Sequence, residues 1–265
     1  MRRAVLGFAA AIAPLAAFAS EPIATELPPD ADIYLLGEIH DDARHHRRQG
    51  AIAKFLRPKA LVFEMLPATL ELDLSTVDTA DLTALDMATG WTEFGWPGLE
   101  MYQQIFQASP NARVYGMALP RDEVRRAVGE GAAAVFGDEA EAYGLNEALP
   151  VDEQQAREQL QDDGHCNALP PEILPGFVEA QRLRDAAFAR RTLEAFNAVG
   201  GPVVVITGNG HVRDWGMPAF FARVAPDLKV VALGQLYSDA DVDAFTHAML
   251  SPPIERDTDP CDAFK

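Results

Sequence analysis

Val203-Val204-Val205-Ile206-Thr207-Gly208-Asn209-Gly210-His211 sets an apolar, β-branched run against glycine and then histidine. Ile33-Tyr34-Leu35-Leu36-Gly37-Glu38-Ile39-His40 repeats the device about 170 residues earlier. Short apolar runs closed by glycine read as buried parallel strands. Ligands of an open α/β sheet sit beyond the carboxyl ends of such strands, so both histidines are expected to face one site. The glycine lets the backbone leave the strand sharply, and the imidazole three residues later turns back over the sheet edge.

Further strand-like runs lie at Ala60–Phe63, Arg113–Tyr115 and Lys229–Leu233. Most of the remainder reads helical. Asp41 is expected to cap a helix carrying His45, His46, Gln49 and Ile52. Adjacent helical residues point about 100° apart, so at most one of His45 and His46 should face the cleft, leaving the other in solvent. A pattern free of breakers runs from Phe177 to Gly200, with Ala180, Leu183, Ala187, Arg191 and Glu194 along it. The expected fold is α/β: a mostly parallel β-sheet flanked by helices, with a helical cap inserted over about 120–199. His247 is expected in a carboxyl-terminal helix with no chemistry around it.

Arg2-Arg3, an Ala-rich apolar stretch and Ala17-Phe18-Ala19 read as a secretory signal peptide over residues 1–19, cleaved near Ala19. No cysteine stands at the cleavage point to take a lipid, so residues 20–265 are expected as a single domain in the periplasm. The formal charge of −18 becomes −20 without Arg2 and Arg3. Such a surface repels phosphate backbones and makes nucleic acid a poor partner. The two cysteines leave two readings open: a Cys166–Cys261 disulfide pinning the Pro-rich tail after Ser251, or a free Cys166 thiol beside His165 acting as a metal or haem ligand.

Phe63-Glu64-Met65 ends the second strand and brings another carboxylate to the same sheet edge. Glu38, His40, Glu64 and His211 therefore form a candidate N/O ligand set for a divalent metal such as Zn, Mn, Co or Fe, able to activate water in a hydrolase. Alternatively one histidine serves as general base while a carboxylate orients it. Trp91, Phe94, Trp96 and Tyr102 concentrate aromatic surface between Phe63 and Arg113. Trp91 and Trp96, beside glycines and Pro97, read as a loop that covers something, whereas Tyr102 and Phe106 have the spacing of a helical core.

Several stretches together resemble the ChaN-like haem-binding uptake proteins of the Tiki superfamily. They are Tyr34–His40 with His45, His46 and Gln49, the Phe63-Glu64-Met65 step, the Trp91–Tyr102 block, His165-Cys166-x-x-Leu169-Pro170, Ala180-Gln181-x-x-Arg184-Asp185-Ala186, and Thr207–His211. The glycine-histidine motif alone is also similar to the TraB/Tiki metallopeptidases and erythromycin esterases. The resemblance implies an exported haem-binding protein of iron uptake, not primarily an enzyme, with a homodimer holding haem and a haem receptor or carrier as partner. It also implies a tyrosine as iron ligand. Tyr143 in the cap is preferred over Tyr102 and Tyr115, with His165 and Trp96 as further haem-binding candidates. The aromatic loop and the cap together are expected to form the haem site, because the sheet-edge cluster is too polar to supply it. The chain departs from lipoprotein members in lacking an amino-terminal lipidated cysteine.

Overall fold

The structure is a computed structural model that describes residues 27–264, so the expected signal peptide and its cleavage point lie outside the described residues. Seven strands form one sheet in the order β3-β4-β2-β5-β1-β6-β7. They are β1 (Ile33–Glu38), β2 (Ala60–Pro67), β3 (Glu71–Asp73), β4 (Arg113–Ala118), β5 (Val203–Gly208), β6 (Val230–Leu236) and β7 (His247–Leu250). All pairings are parallel except β3 with β4. The two quoted runs are neighbours, Ile33 opposite Val203 and Glu38 opposite Gly208.

Side chains of a strand alternate between faces, and the core follows that period of two. Tyr34, Leu36, Val204 and Ile206 pack with the helices α1 (Ala43–Leu56), α2 (Leu82–Thr89) and α3 (Leu99–Ala108) on one face. Ile33, Leu35, Val203 and Val205 pack on the other with α4 (Arg121–Glu130), α5 (Ala132–Phe136), α7 (Leu174–Val199) and α9 (Met217–Val224). α6 (Val151–Gly164) lies against α7, and α8 (Asn209–Val212) is the single turn after β5. The excursion expected as a cap spans α4 to α7, and its last and longest helix lies against the sheet.

Four local expectations are corrected. Asp42, not Asp41, caps α1, accepting from the Arg44 N–H at 2.9 Å. Asp41 instead holds Arg256 of the tail in a two-pronged ion pair at 2.6 and 2.8 Å. His45 and His46 are both fully buried. The reason is that α1 has contacts on two sides at its start: His45 accepts from the Ile39 N–H at 3.0 Å and meets Ser251 of the tail, while His46 faces Glu38. His247 lies on the edge strand β7 rather than on a helix. Trp91 is buried in the core, its indole N–H donating to the Pro97 carbonyl, so only Trp96 of the pair keeps an open face.

Cys166 and Cys261 are bonded, which removes the free-thiol reading. The tail leaves β7, receives Arg44 on the Pro252 carbonyl, pairs Arg256 with Asp41 and ends on Cys166 ahead of α7. It thus crosses from the α1 face of the sheet to the α7 face.

In the chain-entropy account, a crosslink closing 95 residues stabilises the fold by roughly 4 kcal/mol. The double substitution Cys166→Ser, Cys261→Ser should lower the urea midpoint accordingly and open the segment after Ser251 to protease before the core. An unchanged midpoint and cleavage pattern would show that the tail is held without the bond.

Candidate functional site

Strand register builds the site. β1 ends at Glu38 beside Gly208, and Glu64 stands one residue past the Phe63–Ile206 pair, so the two carboxylates flank the end of β5. α8 then turns His211 back between Glu64 and α7. All four expected residues, Glu38, His40, Glu64 and His211, are brought together at the carboxyl edge.

Both carboxylates are buried and their oxygens are occupied. Glu38 Oε1 accepts from His40 Nδ1 at 2.7 Å and from the Tyr102 hydroxyl at 2.6 Å, while Oε2 accepts from Gln49 at 2.8 Å. Burial works against its charge, but His40 and His46 hold its pKa down at about 2. Glu64 Oε2 accepts from the Thr207 hydroxyl at 2.6 Å and the Gly208 N–H at 2.8 Å, and Oε1 accepts from Arg184 at 2.6 Å. Desolvation again opposes ionisation, and His211 with Arg184 overrides it, lowering the Glu64 pKa well below the carboxylate range.

His211 bridges two acids. Its Nδ1 lies 2.5 Å from Asp185 of α7 and its Nε2 3.3 Å from Glu64. Burial disfavours the imidazolium, yet Glu64 and Asp185 together raise the pKa above the ordinary value. Asp185 goes the other way: burial raises its pKa, and its second oxygen has no partner among the described residues. His40 differs from these in being partly open, with 31% of its side chain exposed. Its ring lies 4.9 Å from Trp96, and its Nε2 faces Glu64 across 3.9 Å. A carboxylate on Nδ1 and a partly exposed ring suit general acid–base work.

The metal expectation finds no such support. Among the described residues no three His, Cys, Asp or Glu groups are arranged to hold a metal ion. The chemical reason is that Glu38 and Glu64 already accept from side-chain and backbone donors and cannot turn their lone pairs to a cation without losing them.

Beside this polar cluster opens a cleft of about 740 Å³ at the ends of β2 and β4, within the range of cofactor sites. It is lined by Phe94 and Trp96 of the aromatic segment, by Leu119 and Val124 at the start of the helical excursion, and by Phe188 of α7. Trp96, Glu64, Arg184 and Phe188 belong to both regions: the Phe188 ring lies 4.8 Å from that of His211, tilted by 50°. Residues of the aromatic loop and of the expected cap thus line one cleft.

None of the tyrosines lines this cleft. Tyr143 is buried against Phe136 and Phe220 beneath the helical layer, its pKa pushed up to about 12, mainly by burial. Tyr115 is buried in the same core, under Arg191. Tyr102 spends its hydroxyl on Glu38, and burial raises its pKa far above the phenol range. His165 lies at the end of α6, its Nδ1 on the Gln161 carbonyl and its ring edge-on to Phe177. The structure therefore brings Trp96 to the cleft and leaves Tyr143, Tyr102 and His165 outside it.

A family model described as haem-binding uptake, Tiki superfamily, ChaN, matches residues 26–221. The chain belongs to this ChaN family. Among solved structures it is similar to the ChaN of Campylobacter jejuni described for cofacial haem binding, at 20% identity over 83% of this chain and 87% of that one, with a TM-score of 0.60. The fold is shared. The type III effector HopBA1 matches at 11% identity over 84% and 89% of the two chains, with a TM-score of 0.45. No curated protein matches the chain.

Asp185 and Arg184 were the contributions hardest to assign from sequence in this ChaN-family chain. Their signal is the spacing Gln181-x-x-Arg184-Asp185, which puts three polar groups on one helix face. Because the His211 pKa is raised, its contribution to stability is full below the ordinary imidazole pKa of about 6.5 and is lost as pH rises through the folded value. Replacing His211 with Gln should cost about 3–5 kcal/mol near pH 6, since Glu64 and Asp185 lose the charge between them. The difference from wild type should shrink toward alkaline pH. Urea unfolding across that range measures it, and a difference that does not vary with pH would show that His211 is not charged in the fold.

Proposed function

We propose that this chain binds haem as cargo in the cleft between Trp96, Val124 and Phe188, as an exported protein of haem uptake. The carrying observation is the cleft itself: an apolar slot of porphyrin-site size, walled by aromatic side chains, with Arg121, Arg125 and Arg184 along it. Haem needs extensive apolar cover for its faces and cations for its propionates, and the residues present fit both needs. Membership of the haem-binding family supports the reading. Export is supported by the Cys166–Cys261 bond, since such bonds persist in oxidising compartments. A second copy over the open side of the cleft would cover the remaining porphyrin face, which is the pairing the resemblance implies.

Haemin titrated into the full-length protein should give a saturable Soret change and quench tryptophan fluorescence through Trp96. Val124→Trp, which fills the cleft, should weaken binding by about tenfold or more. Tyr143→Phe should leave the ferric spectrum unchanged. A variant Val124→Trp that binds haemin as wild type does would remove haem from this cleft. Material recovered from the periplasm should have lost about 19 residues by mass, as a signal sequence of this length predicts.

A second reading is favoured by one observation, the partly exposed His40 imidazole oriented by Glu38 at the sheet edge. It is acid–base hydrolysis of a ligand held in the same cleft. Under it, His40→Ala abolishes turnover of chromogenic esters while changing haemin affinity less than about threefold, because removing a base takes away transition-state stabilisation and not ground-state binding. Wild-type protein without turnover on such esters would leave cargo binding alone.

A further inference from the structure

The segment that brings Trp96 to the cleft is held by hydrogen bonds only at its ends. Asp86 of α2 fixes the near end: its carbonyl accepts from the Gly90 N–H at 2.7 Å, and its carboxylate accepts from the N–H and the hydroxyl of Thr92 at 2.9 and 2.8 Å. Trp91 then buries its ring against Tyr102, Phe63 and Phe106 and donates its indole N–H to the Pro97 carbonyl at 2.8 Å. That bond clasps the two ends of the segment together, and α3 takes over at Leu99.

Between the fixed points the backbone is unsupported. Among the described residues neither the N–H nor the carbonyl of Gly95 or Trp96 has a hydrogen-bond partner. Gly95 stands in solvent at φ +74°, and a Cβ built on it would meet nothing within 4 Å. A glycine in the left-handed region with open space around it turns at little steric cost. Trp96 rests against His40 at 4.9 Å and at the margin of the aromatic core. Such apolar contacts are non-directional, so the face of a ligand can replace them. Segments with so few bonds open at free energies far below that of global unfolding, and lids are drawn from them.

The other side of the slot is built of regular structure. Val124 belongs to α4, which packs on α7, and Phe188 is buried in α7. Glu93, Phe94 and Trp96 line the slot from the segment itself, so any movement of its tip changes the width of the slot.

Resting on the reading of this cleft as a ligand site, we propose that residues 93–96 form an aromatic lid. The lid turns on Gly95 about the Trp91–Pro97 clasp, closes Phe94 and Trp96 onto an occupant, and sets how fast that occupant leaves.

The test is stopped-flow mixing of the full chain with haemin and, separately, with anilinonaphthalene sulfonate, a flat aromatic anion that reports apolar surface. With a lid that closes after binding, the observed rate rises with probe concentration and levels off at the closing rate, whereas a fixed wall gives a linear rise. Val124→Trp, which fills the cleft, should remove this phase. Trp91→Phe keeps the aromatic bulk and loses the clasp, and Trp91 does not line the slot. The freed tip has more arrangements to give up on closing, so both probes should leave about threefold faster or more, the scale of one neutral hydrogen bond. Tyr34→Phe, which removes a hydroxyl bonded to the Pro28 carbonyl near the start of β1, should release them as wild type does. A thermal melt checks that both variants fold. Rates that stay linear in probe concentration would overturn the lid and leave the cleft as a rigid site for haem. So would Trp91→Phe releasing as wild type does, or Tyr34→Phe releasing as fast as Trp91→Phe. A saturating rate with the dye and no binding of haemin would keep the lid and end the haem reading. Binding of neither probe would end both.

Discussion

A negative charge buried at the end of β2 organises the molecule's working edge. Glu64 is shut away from water, a position that would normally neutralise a carboxyl group, and it stays ionised because four donors converge on it. Thr207 and Gly208 come from β5, His211 from α8 and Arg184 from α7. A strand, the turn that follows its neighbour and the longest helix are thereby fixed relative to one another by one side chain. Asp185 extends the chain of dependence, since it orients the histidine that answers Glu64. Loss of any one of these partners leaves charge without compensation in a low-dielectric interior.

The frame of this arrangement was legible in the sequence because strands and their exits obey local rules. The two Gly-x-x-His runs became adjacent parallel strands in register, and Glu38, His40, Glu64 and His211 met as expected. What local rules could not give was which donors saturate which acceptors. The ligand set read from residue types looked open to a metal, whereas Gln49, Tyr102, Arg184 and the Gly208 amide had claimed the same lone pairs. Helical geometry correctly separated the directions of His45 and His46, yet solvent exposure depended on the tail, whose Ser251 and Pro252 lie over the start of α1. β3 and β7 are too short and too exposed to show a period of their own, and their pairing comes from the strands beside them.

The tail also settles from which side the edge can be entered. It leaves the outermost strand, passes the loop after β1 through Arg256 and Asp41, and ends on Cys166 ahead of α7. The carboxyl ends of β6 and β1 thus lie behind a covalently anchored strap. At the opposite end, past β2 and β4, the apolar slot opens, and among the described residues no such strap crosses it. Phe94 and Trp96 line that slot, and Trp96 lies against the His40 ring at 4.9 Å.

Saturation and openness are complementary here. A flat apolar ligand placed against unsatisfied carboxylates would strip them of water at a cost of several kcal/mol each, and no dispersion contact of similar size would offset it. Because Glu38 and Glu64 already draw their hydrogen bonds from the protein, covering the slot removes nothing from them. The same saturation withholds both oxygens from a metal, so the feature that undercuts a metal site at the sheet edge is what allows an apolar slot to abut it. Glu64 borders that slot with its oxygens already satisfied, and the partly exposed His40 stands behind Trp96, with an indole as its neighbour. The edge is thus divided into a polar half that sets the geometry and an apolar half that opens as the slot, with Phe188 and Trp96 as the boundary between them.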